Sequence, residues 1–544
     1  MESGISLPQT HQGGLLMRLG SAESVGLIGL KAFLIHVQSF ISPGLPYFSI
    51  IGLPDASLSE SRERVKSACS ACGFRWPQTR VTVNMSPASK PKHGSSHDLA
   101  IATSVLEAGG ALPTEGLDHT VILGELNLDG TILPINGLLP ILTQARAQGI
   151  TRAFVPADNL DEARLVPDIE VVGLRHLGQL IQALGGQSRV AVPESDSHKN
   201  SDKPADIASV HPRNPGHQDN SPANAGPTPP KPDMADVIGQ EETKWAMMVA
   251  AAGGHHMLMV GPPGAGKSML AERLPSIMPA LDAVQQLEVA SVRSLCGTLS
   301  QYGITDVPPF EAPHHTISMA AMVGGGAGLA TPGAITRAHR GVLFMDEAPE
   351  FSPRVIQSLR EPLEIGRIFL SRAKGSTTFP ARFQLVMAAN PCPCGYGYGT
   401  GERCTCTPRE RLRYWNRLSG PIMDRIDIQT TVPPVTDPGL DDHRPRQHSA
   451  QIRQRVTRAR QAAKERFHKE GWTCNAQISG EWLRQNTSAK ARSVVDQALR
   501  RQRISLRGAD RTMRLAWTLA DLDGRTSPGA DDVTTGILLR TRAV

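Results

Sequence analysis

The stretch His255–Glu272, HHMLMVGPPGAGKSMLAE, constrains this chain more than any other. Its apolar opening reads as a short buried strand, and its close reads as the start of a helix. Between them, Gly261-Pro262-Pro263-Gly264-Ala265-Gly266-Lys267-Ser268 has the phosphate-binding loop pattern. In a strand–loop–helix setting the glycines let backbone N–H groups turn toward phosphate oxygens. Lys267 would then reach the β- and γ-phosphates, and the Ser268 hydroxyl would hold Mg²⁺. The helix N-terminus adds the positive end of its dipole.

Downstream, Gly341–Glu347 (GVLFMDE) ends an apolar strand on two carboxylates. Asp346 is placed to hold Mg²⁺, and Glu347 to orient and polarise an attacking water. Asn390, at the end of FQLVMAAN, would reach the γ-phosphate or that water from a further strand. The runs HHMLMV, GVLFM and FQLVMAA are continuously apolar, as expected of parallel strands buried on both faces.

With 544 residues, about three or four domains are expected. A hydrophobic share of 40% and a charged share of 20% suit a globular chain. The sequence carries no apolar run of membrane-spanning length and no signal-peptide pattern, so a cytoplasmic protein without a membrane partner is expected. Residues 1–186 read as a mixed α/β domain, with strands at Tyr47–Leu53, Arg80–Ser86 and Thr120–Leu126 and helices at SLSESRERVKSACSA and LPILTQARAQG. Cys69 and Cys72, at the end of the first of these helices, read as small core residues; a redox C-x-x-C is the other reading. Residues 187–232 are rich in Pro, Asn, Asp, Ser and His and read as a flexible linker. Residues 233–434 hold the nucleotide module. Residues 435–544 read as helical, with SPGADDV as a helix start. The net charge is +6, yet Asp441–Val544 alone has 21 Lys+Arg against 11 Asp+Glu. That excess permits a phosphate-backbone partner, although a solvated helical face explains it as well.

Four cysteines crowd one loop: Cys392-Pro-Cys394 and Cys404-Thr-Cys406 bracket GYGYGTGER. Four thiolates there would close a tetrahedral zinc site; reduced thiols buried in a subunit contact are the other reading.

A set of further motifs carries a family resemblance: GLPDASLSESRERVKSA, RVTVNMSPASKPKHGSSHDLAIA, GELNLDGTILPINGLLP, APHHTISMAAMVGGG, HRGVLFMDEAPEF, FQLVMAANPCPCGYGYG and RLSGPIMDRIDI. In this order they resemble the ComM/YifB family of magnesium-chelatase-like AAA+ ATPases. The resemblance implies an α/β fold class: an N-terminal Lon-protease-like α+β domain, a central AAA+ parallel-sheet ATPase domain and a C-terminal helical lid. It implies ATP and Mg²⁺, a hexameric ring, and ATP sites between subunits. Arg425 resembles the arginine finger offered to a neighbour. Arg507 resembles the lid's sensor arginine, with Arg511 as the alternative for that role. Asp233–Gln240 resembles the stretch beside the adenine. Gly324, Gly325 and Gly326 fall in a glycine-rich pore loop, and Arg372 and Lys374 near the tip of a pore hairpin, both directed at DNA. His314 and His315 are expected in the insertion helix.

The implied activity is branch migration of recombination intermediates, by a motor gripping single-stranded or branched DNA during integration of transforming DNA. The alternatives are a metal-inserting ATPase subunit of the magnesium-chelatase type and a protein-remodelling ATPase. Proteolysis is disfavoured. Ser96 falls near the Lon nucleophile, but Leu138 and Leu139 stand where a Ser–Lys dyad needs its base. The sequence departs from the family pattern at Ala334, where an acid is usual, and at Trp517, where Arg is usual.

Overall fold

The computed structural model describes residues 18–52, 57–90, 92, 94–113, 117–190, 196–198, 232–325, 331–372, 375–418, 420–434 and 446–541. They fall into two compact units, the first ending in the segment read as a linker and the second holding the nucleotide module with the helical end.

The first unit is built on a mixed sheet of eight strands. Its centre is an antiparallel hairpin, Arg18–Ile28 with Lys31–Ser42. A two-residue loop begun by Gly29 at φ 65° closes it, a conformation that suits the twist of the flanking strands. Burial alternates along Lys31–Ser42, so one face lies on the core. Against it lies the helix Asp98–Ala108, buried at every residue. The strand Arg80–Ser86 and the helix Ser57–Ala71 match their sequence expectations. The apolar stretch expected at Thr120–Leu126 instead divides into Thr120–Ile122 and Glu125–Leu126 around Gly124. Cys69 and Cys72 are core residues, and burial pushes the Cys72 thiol up to about 11. Leu138 and Leu139 are fully buried at the start of Leu138–Ala147, where a hydrolytic dyad would want its base. Most of the linker lies outside the described residues, but Asp196–His198 pairs antiparallel with Glu170–Leu174 as an edge strand.

The second unit has a five-stranded sheet in the order Phe310–Glu311, Val342–Met345, Gln384–Ala389, Met257–Val260, Ile428–Thr431. Every pairing is parallel. The three strands read from the sequence are buried along their whole length, because helices cover both faces. The helical end packs on this core. Arg453 donates to the Ser276 carbonyl at 2.8 Å and Arg460 to that of Ala251 at 2.8 Å. Asp427 is fully buried beneath both parts, accepting from Arg511 at 2.5 Å and lying 3.2 Å from His255. Trp517, the departure noted above, is a core residue: it packs edge-on against Trp482, and its indole N–H donates to Thr487. The last helix starts at Ala530, three residues after Ser527, with Asp531 and Asp532 in its first turn.

Candidate nucleotide site

Strand register brings the candidate residues together. Val260 pairs with Ala389 on one side and Thr431 on the other, so the loop Gly261–Gly266 leaves the sheet beside Asn390. Met345 pairs with Met387 one strand further, delivering Asp346 and Glu347 to the same carboxyl edge. This edge is where open α/β sheets take ligands. Gly264 and Gly266 adopt φ of 78° and 88°, the left-handed region that favours glycine. A side chain at Gly264 would meet nothing within 4 Å, so there the backbone angle and not space favours glycine; at Gly261 it would strike the Val432 carbonyl at 2.3 Å. Gly266 caps the helix Lys267–Ile277, whose first N–H groups have no intrahelical partner and suit an anion.

Lys267 is buried. Its ammonium donates to the carbonyls of Gly261 (2.8 Å) and Pro262 (2.9 Å) and to Asn390 Oδ1 (3.1 Å). Burial lowers its pKa, and the carboxylates of Asp346 and Glu347 oppose that shift. Phosphate oxygens can take the place of those three acceptors. The Ser268 hydroxyl donates to Asp346 Oδ2 at 2.6 Å, so a hydroxyl and a carboxylate converge on one point, a donor set that a hard divalent cation prefers. The residues fit ATP with Mg²⁺. Glu347 takes φ 50°, and its carboxylate lies 3.2 Å from His315 Nδ1.

Other expectations fare differently. Arg425 does not stand free: it is buried, pairs with Glu364, and donates to the Pro421 carbonyl, while its Nε has no partner among the described residues. Arg511 is committed to Asp427 and the Arg425 carbonyl. Arg507 is exposed, with no hydrogen bond or ion pair among the described residues. No contact ties Arg425 or Arg507 to the phosphate loop among those residues. His314 and His315 lie in the loop before the short helix Met319–Val323, not in a helix, with rings 4.1 Å apart. Gly324 and Gly325 are buried and pair with Thr331–Pro332; Gly326 lies outside the described residues. The expected hairpin is present as Arg367–Arg372 and Gly375–Pro380. Lys374 and the Arg372 side chain lie outside the described residues. Asp233 and Met234 are tied to Ser449, so this stretch joins the helical end to the core. Of the basic excess, Arg453, Arg460, Arg466 and Arg511 serve internal contacts.

Two residues that sequence reasoning passed over hold Asn390 in place. The Asn390 N–H donates to Tyr414 Oη at 3.3 Å, and Trp415 Nε1–H donates to the Pro391 carbonyl at 3.2 Å. Their helix, Pro408–Trp415, has a legible start: Thr407 before Pro408, with Glu410 closing a capping box.

Comparison with known proteins adds to this geometry. The family model "Magnesium chelatase, subunit ChlI" matches residues 233–439, "Subunit ChlI of Mg-chelatase" matches 37–159, and "Magnesium chelatase, subunit ChlI C-terminal" matches 446–540. YifB of Escherichia coli is 37% identical over 93% of this chain and 94% of its own. Competence protein ComM of Haemophilus influenzae is 35% identical over the same shares. The chain belongs to the ComM/YifB family of magnesium-chelatase-like ATPases. An uncharacterized protein of Mycobacterium tuberculosis is 44% identical over 96% of this chain and 99% of its own. Lon protease 2 of Bacillus subtilis is 33% identical over 145 residues, 25% of this chain and 26% of its own, which bears out the Lon-like expectation within the fold class. As a ComM/YifB member the chain has the AAA+ ATPase architecture expected of it. Among the described residues no helix is long and apolar enough to cross a membrane.

Proposed function

We propose that this ComM/YifB-type chain is an ATP-driven motor acting on branched DNA, as a ring whose ATP sites are completed by neighbours. The observation that carries the reading is the division of the site. Lys267, Ser268, Asp346, Glu347 and Asn390 gather at one sheet edge, while among the described residues Arg425 and Arg507 make no contact with it. Burial lowers the Arg425 pKa against the pull of Glu364, and the charges of Arg360, Arg507 and Arg511 lower it further. Such a cation cluster, with Glu364 as its paired anion, suits the phosphates of a neighbour's ATP. An arginine supplied this way is worth about 10³–10⁵ in rate.

In this scheme Lys267 binds the β- and γ-phosphates, Ser268 and Asp346 would hold Mg²⁺, Glu347 orients water and Asn390 reads the γ-phosphate. Magnesium supplies charge neutralisation at the phosphates. The pore elements around Gly324–Gly326 and Arg372–Lys374 would grip the DNA. That DNA is the load is supported by the competence name of the Haemophilus relative and by exposed Arg455 and Arg458 on the helix Ser449–Arg466.

Glu347→Gln tests the reading in a branch-migration assay on a four-way junction. The variant is expected to bind ATP and DNA yet move no branch. Wild-type movement by it would remove Glu347 from the chemistry. A wild-type chain that hydrolyses ATP but moves no DNA would favour the metal-insertion or protein-remodelling alternatives.

A further inference from the structure

Cys392, Cys394, Cys404 and Cys406 are all free thiols, and their four sulfur atoms lie within 4.8 Å of one another. Cys392 Sγ is 3.3 Å from Cys394 Sγ and 3.6 Å from Cys404 Sγ, and the last two are 3.7 Å apart. A disulfide would need about 2.05 Å. A tetrahedron with zinc–sulfur bonds of about 2.3 Å has edges of about 3.8 Å. The spacing therefore suits one central ion and leaves no room for a multi-iron cluster. The loop is shaped for this geometry. Gly395 turns it at φ 83°, and the Gly397 N–H donates to Cys392 Sγ at 3.2 Å, as suits a sulfur bearing negative charge. A side chain at Gly397 would sit 3.0 Å from that sulfur.

We infer that these four cysteines bind one zinc ion as thiolates, and that the ion fixes the segment joining Asn390 to the back of the phosphate loop. On binding, four zinc–sulfur bonds form, and the thiol protons still present leave to solvent. The link to the nucleotide site is direct. Cys392 lies two residues after Asn390 and is fully buried. A side chain on Gly395 would come within 2.7 Å of the Pro263 ring, so this loop backs onto the phosphate loop. Pro391 is held by Trp415 on the other side. Losing the ion frees a loop whose two ends position Asn390 and the helix Pro408–Trp415. This consequence for turnover rests on the nucleotide reading above, whereas the metal itself does not.

The test is metal analysis of the full-length purified chain, with thiol alkylation before and after zinc release by an organomercurial. One zinc per chain is expected, with four thiols protected until release. Cobalt(II) in its place is expected to give a thiolate-to-metal charge-transfer band, and Cys404→Ser to lose the ion. ATP turnover is expected to fall at least tenfold when zinc is removed and to recover on re-addition. Freely alkylated thiols with no zinc, or iron in its place, would overturn the site even if every variant misfolded. Unchanged turnover after zinc loss would overturn the link to Asn390. Zinc bound to a chain that hydrolyses no ATP would uphold the metal and remove the nucleotide reading.

Discussion

Glu347 holds a left-handed backbone conformation at φ 50°, which costs a residue with a side chain on the order of 1 kcal/mol. In this strained position its carboxylate faces His315 at 3.2 Å. In the role proposed for Glu347, an oxygen engaged by an imidazole is less available to orient water. His315→Ala is therefore expected to raise ATP turnover without DNA by about two- to fivefold, the scale of one partly exposed pair. A drop would mean that His315 positions Glu347 productively. A second residue-scale expectation concerns pH. Burial pushes the His256 imidazole down to about 4, against the pull of Asp427 and with the push of Arg511 and His255. Its Nδ1 accepts the Leu385 N–H at 3.0 Å, which requires the neutral ring. Below the ordinary histidine pKa near 6.5 the unfolded chain takes up a proton that the native chain refuses until about pH 4. Stability then falls as pH falls through this window, by up to about 1.4 kcal/mol per pH unit. Urea midpoints measured from pH 7 to 4 are expected to show that slope, and His256→Asn to flatten it. None of these contacts was legible beforehand. Arg425 meets Glu364 across 61 positions and His315 meets Glu347 across 32, and periodicity carries no signal about such pairs.

At the scale of elements, legibility followed burial. The strands Met257–Val260, Val342–Met345 and Gln384–Ala389 were readable because both faces are covered, leaving unbroken apolar runs. The two-residue strand Phe310–Glu311 has no such run, and the long hairpin Arg18–Ser42 turns on Gly-Leu, outside the usual Asn-Gly or Asp-Gly signals. The helix Ser449–Arg466 shows the limit of reading charge alone. Arg453 and Arg460 point into the molecule and bind carbonyls, whereas Arg455 and Arg458 are exposed. Replacing Arg453 or Arg460 by Ala is expected to cost about 1.5–3 kcal/mol of stability, as for hydrogen bonds from a charged group. Replacing Arg455 and Arg458 is expected to leave the urea midpoint unchanged while flattening the salt dependence of DNA affinity, by about 0.7 in slope per contact on a single strand. Equal DNA binding by that double variant would remove this helix from the interface.

On the scale of the whole molecule, the proposed phosphate cradle lies at one sheet edge and, elsewhere, Arg425 and Arg511 are held by Glu364 and Asp427. Sequence order alone located the cradle, because strand, loop and helix are contiguous there. For Arg425 contiguity carries no such signal: the family resemblance implies its place at a neighbour's site, and the fold shows its own partners, Glu364 and the Pro421 carbonyl. In a head-to-tail ring every interface joins the cradle of one chain to the arginines of the next. Lys267→Ala destroys the first and Arg425→Ala the second, so neither chain alone is expected to hydrolyse ATP. The decisive measurement is ATP hydrolysis on forked DNA by an equimolar mixture of these two variants, co-assembled from dissociated chains. About a quarter of the interfaces then combine an intact cradle with an intact arginine, so about a quarter of the wild-type rate is expected. No recovery across the full range of chain concentrations and mixing ratios, from two variants that each remain folded, would contradict a site shared between neighbours.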